Sequence, residues 1–403
     1  MTCDYRIVGP NARFGLPEPK VGLMAAAGGA QRLPRHVPLK VAMGMMLTGE
    51  PIDAAEAYRI GLVNEVVEPG DLLPAANRLA AAILILANDE LMKSRHWILS
   101  DYLALFLVSL TLLSATAAFR SRGRILPWIG TGLALAALTL TKAVFLVFAA
   151  VAAVGAIGLI ALTRRGRQAR TLLALTAWLV AFSLPVGSWM ERNQAVGGEF
   201  ALTASRGGIA LSTREVFNHM SEEQYLCAFV YWTRGFGNGL AEKRFPEEVW
   251  HPFQIDRPGG FYDVGQNRYQ PHVAALMAER GLSERQARQA ADAELVHAVM
   301  QRPLTHLATT LPLFYRGLWI DTFILFTLPA LLWFTVVALR RQHYGLMAAF
   351  SLGWFNLLFY ALISLNIPRY QMTAVPVLAL AGGLAVETLW RAFRKRRPAS
   401  GEP

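Results

Sequence analysis

Two patterns of apolar and polar residues divide the chain. Up to residue 96 the apolar residues come in short groups broken by Gly, Pro and charge, as in FGLPEPKVGLMAAAGGAQRLPR (14–35). From Trp97 onward they come in runs of about twenty, as in WILSDYLALFLVSLTLLSATAAF (97–119). A helix that crosses a bilayer needs about 20 mostly apolar residues, because the hydrocarbon core is roughly 30 Å thick. Residues 97–119, 171–190, 318–339, 344–365 and 371–393 satisfy this. Residues 126–162 are apolar apart from Lys142. As one helix they would reach about 55 Å, nearly twice the core, so they read as two passes, 126–141 and 143–162. The pattern predicts seven spans.

Charge orients them. Basic clusters separate the runs: Arg120, Arg122 and Arg124; Arg164, Arg165, Arg167 and Arg170; Arg340 and Arg341; and the tail Arg394, Lys395, Arg396 and Arg397. The positive-inside rule puts all four in the cytoplasm, and seven spans satisfy the four at once. Residues 191–317 and the turn Asn366–Tyr370 then lie outside, in a topology expected of a bacterial inner membrane. The 403 residues are 54% hydrophobic and 17% charged, and the formal charge is +11. Since the basic residues flank apolar runs and no recognition motif accompanies them, the charge argues for membrane flanks and against nucleic acid. Cys3 and Cys227 are the only cysteines, so no disulfide framework and no thiolate metal site is expected. MTCDYRIVGP has no apolar signal-peptide core, and nothing calls for a cofactor.

The segment 191–317 is polar, aromatic and Gly-rich: RGGIALST, YWTRGFGNG, RPGGFYDVGQNRY. It ends in a helix opened by Ser283 with Gln286 three residues on, a capping-box pattern. Ala287, Ala291, Leu295 and Val299 recur along one face. Such a helix either lies on a membrane surface or packs as an ordinary helix.

The order of features in residues 92–393 resembles the C-terminal part of the GT-C polytopic glycosyltransferases that use lipid-linked sugars, of the dolichyl- or polyprenyl-phosphate-mannose protein mannosyltransferase type. The residues that carry it are LALAALTLTKAVFLV (133–147), PVGSWMERNQAVGGEFALTASRGGIAL (185–211), HAVMQRPLTHLATTLPLFYRGLW (297–319) and NIPRYQMTAVPVLALAGG (366–383). The third stretch resembles the family's membrane-parallel helix. The resemblance implies a polyprenyl- or dolichyl-phosphate sugar as partner, its phosphate held at the outer surface. Arg192 and Arg369 sit there in the predicted topology, and an Arg fork suits phosphate. The alternative for each is an interfacial arginine with its head in water. Asp101, near the outer end of its span, is the third candidate, since an acidic residue in a span invites a functional reading. The family's catalytic acid follows its first span, a part this chain does not match. Asn88-Asp89-Glu90 precedes every span and fails by position. No glycosyl transfer is therefore expected.

Residues 3–85 resemble an interior slice of the crotonase (enoyl-CoA hydratase/isomerase) family, unbroken from Cys3 to Leu73. A strand near Tyr5–Val8, helices with an Asp53/Glu56 cap pattern and a strand at Leu62–Val67 fit that reading. The resemblance implies an acyl-CoA partner and gives Glu18, in Leu16-Pro17-Glu18, the family's general acid/base role. The alternative is a Glu capping the turn before the Gly-rich helix. Gly28 and Gly29 read as close-packing glycines at that helix start. Where the family normally has Pro-Gly-Ala-Gly-Gly-Thr-Gln-Arg, this chain has Ala25-Ala26-Ala27-Gly28-Gly29-Ala30-Gln31-Arg32, as some dehydratase-like members do. Both backbone donors of the family's oxyanion hole align upstream of residue 1, and loss of one such donor costs about 100- to 1000-fold.

The fold class expected is therefore mixed. A small α/β crotonase-like fragment (1–85) and a junction (86–96) precede an all-α polytopic membrane domain. That domain comprises spans in 97–190, a large extracytoplasmic loop (191–317), spans in 318–393 and a basic cytoplasmic tail (394–403). The charge rule sends residues 1–96 outside, where acyl-CoA is absent, and no Pro/Ser/Gly linker marks the junction. These conflicts fit a join of two coding regions, each incomplete. Three functions follow: an inactive transferase-like membrane protein, a membrane-tethered acyl-CoA hydratase/isomerase, or a non-catalytic membrane protein binding a partner through residues 231–269.

Overall fold

The computed structural model describes residues 5–23, 29–86, 100–121, 124–162, 165–203, 207–255 and 257–396. Gly28, the alanines before it, Arg122, Arg164, Asn88-Asp89-Glu90 and the junction at 87–96 lie outside the described residues. The chain divides into two units, residues 1–83 with 383–403, and residues 84–382.

In the first unit, β1 (Ile7–Val8) pairs in parallel with β4 (Glu65–Val66), and β2 (Arg13–Phe14) pairs antiparallel with β3 (Ile52–Asp53). The predicted strands are thus present but only two residues long, since the sequence around them turns at once. Gly61 has positive φ, and Arg6 ties the return by donating from its amide N–H to Asn64 Oδ1 at 2.9 Å and from Nη1 to Leu62 O at 2.8 Å. The helices are α1 (Gly29–His36), α2 (Leu39–Thr48), α3 (Ala54–Arg59) and α4 (Leu72–Leu86). Leu33, Val37, Ala42, Met45, Ala57, Leu62 and Val63 form the core. Asp53 caps α3 by accepting from Glu56 N at 2.8 Å. The predicted reciprocal partner does not cap. The Glu56 carboxylate instead accepts from Arg59 Nε and Nη2, both at 2.6 Å, because a guanidinium one turn away offers a charged fork.

The second unit is helical. Its apolar helices are α5 (Ser100–Arg120), α6 (Leu126–Thr141), α7 (Val144–Leu162), α8 (Arg165–Gly197), α16 (Ile324–Arg340), α17 (Tyr344–Ile363) and the start of α18 (Val375–Arg396), whose residues from 383 on belong to the first unit. Among the described residues, four helices are long and apolar enough to cross a membrane: Ser100–Arg120, Ala169–Gly197, Tyr344–Ile363 and Pro368–Ala392. Seven spans are thus not confirmed; the other three apolar helices of this unit are shorter among the described residues. The sixteen residues of α6 reach only about 24 Å. Lys142 ends that helix in an extended conformation (φ −137°, ψ 106°), at the predicted break. The span predicted from 318 starts later, at Ile324. There the Asp321 carboxylate interrupts the helix by accepting from Phe323 N at 2.9 Å and Thr327 Oγ1 at 2.6 Å. Gly132 allows α6 and α8 to touch: a Cβ at this position would lie 2.5 Å from Trp178 O.

Residues 207–318 fold as short helices: α9 (Gly207–Val216), α10 (Glu222–Tyr231), α11 (Gly237–Arg244), α12 (Glu247–Trp250), α13 (Phe261–Arg280), α14 (Glu284–Gln301) and α15 (Pro303–Leu318). The capping box of Ser283 and Gln286 forms as read. Ala287 and Ala291 are fully buried against Tyr269, Val273 and Leu276 of α13, so the first half of this face of α14 packs on protein. Cys227 is a buried free thiol, pushed up to about 11 by burial and therefore inert at neutral pH.

Candidate functional site

Asp101 stands in the first turn of α5 and is 5% exposed. A carboxylate so enclosed must be paired, and two cations from distant segments meet it. Lys142, turned inward by the break between α6 and α7, donates from Nζ to Asp101 Oδ1. Arg369 Nε lies 3.6 Å from Asp101 Oδ2. Arg369 belongs to the 3₁₀ helix Pro368–Ala374, and its side chain is 47% exposed. Beside them the rings of Tyr360 and Tyr370 stack, with centroids 5.4 Å apart. One carboxylate and two cations leave a formal charge of +1, with Arg369 the solvent-facing member. This arrangement suits an anion approaching from the Arg369 side.

Two of the sequence candidates, Asp101 and Arg369, are thus brought together. Arg192 is engaged elsewhere: its guanidinium lies 5.0 Å from the Trp189 ring centroid and Nη1 donates to Asn193 Oδ1 at 3.1 Å. Lys142 was legible only as a helix break. Its signal was available, as the sole charged residue in 37 otherwise uncharged positions.

In the first unit Glu18 begins a 3₁₀ turn, Glu18–Val21, set by Pro17 before it and by Gly22 after it at φ 74°. Leu23 N donates to Glu18 O at 2.9 Å and closes the turn. Lys20 points to Glu50, at 3.0 Å. Glu18 is half-buried, and Leu16 two residues earlier enters the core, so the Leu-Pro-Glu step anchors the carboxyl-bearing turn on the packed side. Gly29 is the first residue of α1.

A buried charge that sequence reading missed is Arg214 in α9, which has no exposure at all. Its Nε donates to Ala361 O at 3.0 Å, Nη1 to Asn218 Oδ1 at 2.9 Å, and Nη2 to His306 O at 2.7 Å, Thr310 Oγ1 at 2.8 Å and Thr309 Oγ1 at 3.1 Å. It fastens α9, α15 and the end of α17 together.

Comparison with known proteins concerns the N-terminal part. The profile of the Enoyl-CoA hydratase/isomerase family matches residues 1–98. A crotonyl-CoA hydratase of Syntrophomonas wolfei is 49% identical over 84 residues, which are 21% of this chain and 32% of that protein. An (E)-benzylidenesuccinyl-CoA hydratase of Thauera aromatica is 52% identical over 83 residues, 21% of this chain and 32% of that one. The solved structure of a carnitinyl-CoA dehydratase from Mycobacterium avium shares 55% identity over 20% of this chain and 31% of its own, with a TM-score of 0.19. The chain spans about a third of the length of the curated relatives it matches. Its N-terminal residues, to about 98, are a fragment of the enoyl-CoA hydratase/isomerase (crotonase) type.

Proposed function

We propose that the chain joins two lineages. Residues 1–98 contribute the acid/base segment of an acyl-CoA hydratase/isomerase, in which Glu18 moves a proton between water and the acyl chain. The observation that carries this reading is the near-50% identity to acyl-CoA hydratases across the Glu18 turn. The chain is expected to hydrate crotonyl-CoA in a Glu18-dependent way, with the rate abolished in Glu18→Gln. Equal rates for the wild type and Glu18→Gln, followed by loss of the enoyl absorbance, remove Glu18 from the chemistry.

The second reading concerns the helical unit, and the buried Asp101–Lys142 pair with Arg369 beside it favours it. We infer an integral membrane protein of the lipid-linked-sugar-transferase type, with residues 191–317 outside the cytoplasm and the anionic headgroup of a polyprenyl-phosphate sugar facing Arg369. Reporter fusions at residues 122, 250 and 342 should report inside, outside and inside; any other order removes this topology and, with it, the headgroup assignment.

A further inference from the structure

A cavity of about 460 Å³ lies among α10, the loop after it and α15, lined by Arg316, Trp232, Trp319, Arg234 and Asn238, with Pro368 at one side. Its floor is unusual chemically. Arg316 is 6% exposed, and burial pulls its pKa down to about 10, so it remains charged at neutral pH. Nη1 donates to Leu365 O at 3.2 Å, and the guanidinium lies 4.8 Å from the Trp232 ring centroid. Among the described residues no carboxylate pairs with it. A buried cation without a counter-charge is costly, and one carbonyl and one ring face satisfy little of a five-donor fork. Two further donors on lining residues, Trp232 Nε1 and Trp319 Nε1, are buried with no hydrogen-bond partner. The cavity wall thus gathers donors and positive charge, and its indoles offer flat apolar surface.

The loop that frames it is built for close approach. Gly235 has φ 90°, and Gly237 N donates to Thr233 O at 3.0 Å. A Cβ on Gly237 would lie 2.3 Å from Val230 O, so the TRGFG sequence folds tightly against the end of α10 and brings Asn238 to the rim.

We propose that this cavity is a phosphate-ester site, with the Arg316 fork holding the phosphoryl oxygens and the Trp232 and Trp319 side chains supplying indole donors and ring surface to the remainder of the ligand. It invokes Arg316 and the two indoles, which neither reading above uses. The ester comes either from a soluble metabolite or from a lipid headgroup. Both sources present the same oxyanion, and the two arms of the test separate them.

The test uses the full chain in an uncharged detergent, titrated calorimetrically with glycerol 3-phosphate, and the full chain added to vesicles of phosphatidylcholine with or without phosphatidylglycerol. Saturable binding of glycerol 3-phosphate identifies a soluble ester; binding confined to phosphatidylglycerol identifies a headgroup. In either arm Arg316→Lys is expected to weaken binding about 10-fold, because an ammonium keeps the charge and loses the fork. Asn238→Asp, an exposed change that leaves the fold alone, should weaken it several-fold by placing a carboxylate at the rim. Retention of wild-type binding in both variants, or absence of binding in both arms, overturns the proposal.

Discussion

Asp101→Asn is expected to destabilise the detergent-solubilised chain by about 3–5 kcal/mol, the usual loss when one member of a buried ion pair is removed. The reason is Lys142. Its side chain is 12% exposed and that of Asp101 is 8%, so the neutral amide strands an ammonium that water barely reaches. Arg369 contributes less. It is nearly half exposed and stands 3.6 Å away, so solvent screens its share, and Arg369→Gln should cost no more than about 1 kcal/mol. Replacing both buried partners, Asp101→Leu with Lys142→Met, should recover most of the loss, because no unpaired charge is then buried. Denaturant titration of the four proteins in one detergent gives the comparison. Were Asp101→Asn no worse than Arg369→Gln, the pair would not be buried in solution and the anion-facing centre would lose its foundation.

Arg214→Met should also be damaging, by about 2–5 kcal/mol from buried acceptors that lose their donor, although methionine is of similar length. Five acceptors take hydrogen bonds from this one guanidinium, two of them the carbonyls of Ala361 and His306, and a buried acceptor left without a donor costs about 1–3 kcal/mol. Arg214→Lys is not a rescue, since three donors on one nitrogen cannot reach groups spread around a planar fork. The same node makes stability depend on pH. Asn218 Oδ1 accepts from Arg214 and, at 2.8 Å, from Thr309. Its amide nitrogen therefore faces His306 Nδ1 at 3.0 Å, and His306 Nε2–H donates to Leu362 O at 2.9 Å. That tautomer is neutral. Burial, then the charge of Arg214, hold the His306 pKa below its ordinary 6.5. With the folded value depressed, the unfolded chain takes up the proton first, so stability is complete above about pH 6.5 and falls as pH drops through the folded value. Glu215 adds to this trend at lower pH. Burial opposes its ionisation, but hydrogen bonds from Arg268 and His219 outweigh burial and lower its pKa, so its contribution too is lost on acidification. Stability measured from pH 8 to pH 5 should fall, and His306→Gln should flatten the upper part of that fall; an unchanged slope removes His306 as its cause.

Local features were readable in the chain. The apolar run broken at Lys142, the capping box at Ser283 and the turn that presents Glu18 are each set within a few residues, by run length, by a cap and by Pro17 with Gly22. Where reading by composition went astray, a local carboxylate or guanidinium had intervened. Asp321 delays the helix expected from 318, and Arg59 takes the Glu56 carboxylate that could have completed a capping box. The Gly-rich stretch after 257 reads as loop, yet most of it forms α13, because the face carrying Phe261, Gly265 and Tyr269 is buried and burial of a face outweighs weak helix propensity.

By itself the sequence determined that an acyl-CoA-hydratase-like segment precedes a set of apolar helices, because family identity and hydrophobic run length are both one-dimensional properties. Only the tertiary structure decided which charges meet. Asp101 finds Lys142 41 residues away, Arg214 reaches carbonyls 92 and 147 residues away, and Arg316 is left with a ring face and a single carbonyl. Burial makes each of these partnerships obligatory, since a desolvated charge cannot stay alone at low cost, but the choice of partner depends on how helices far apart in the chain come to pack.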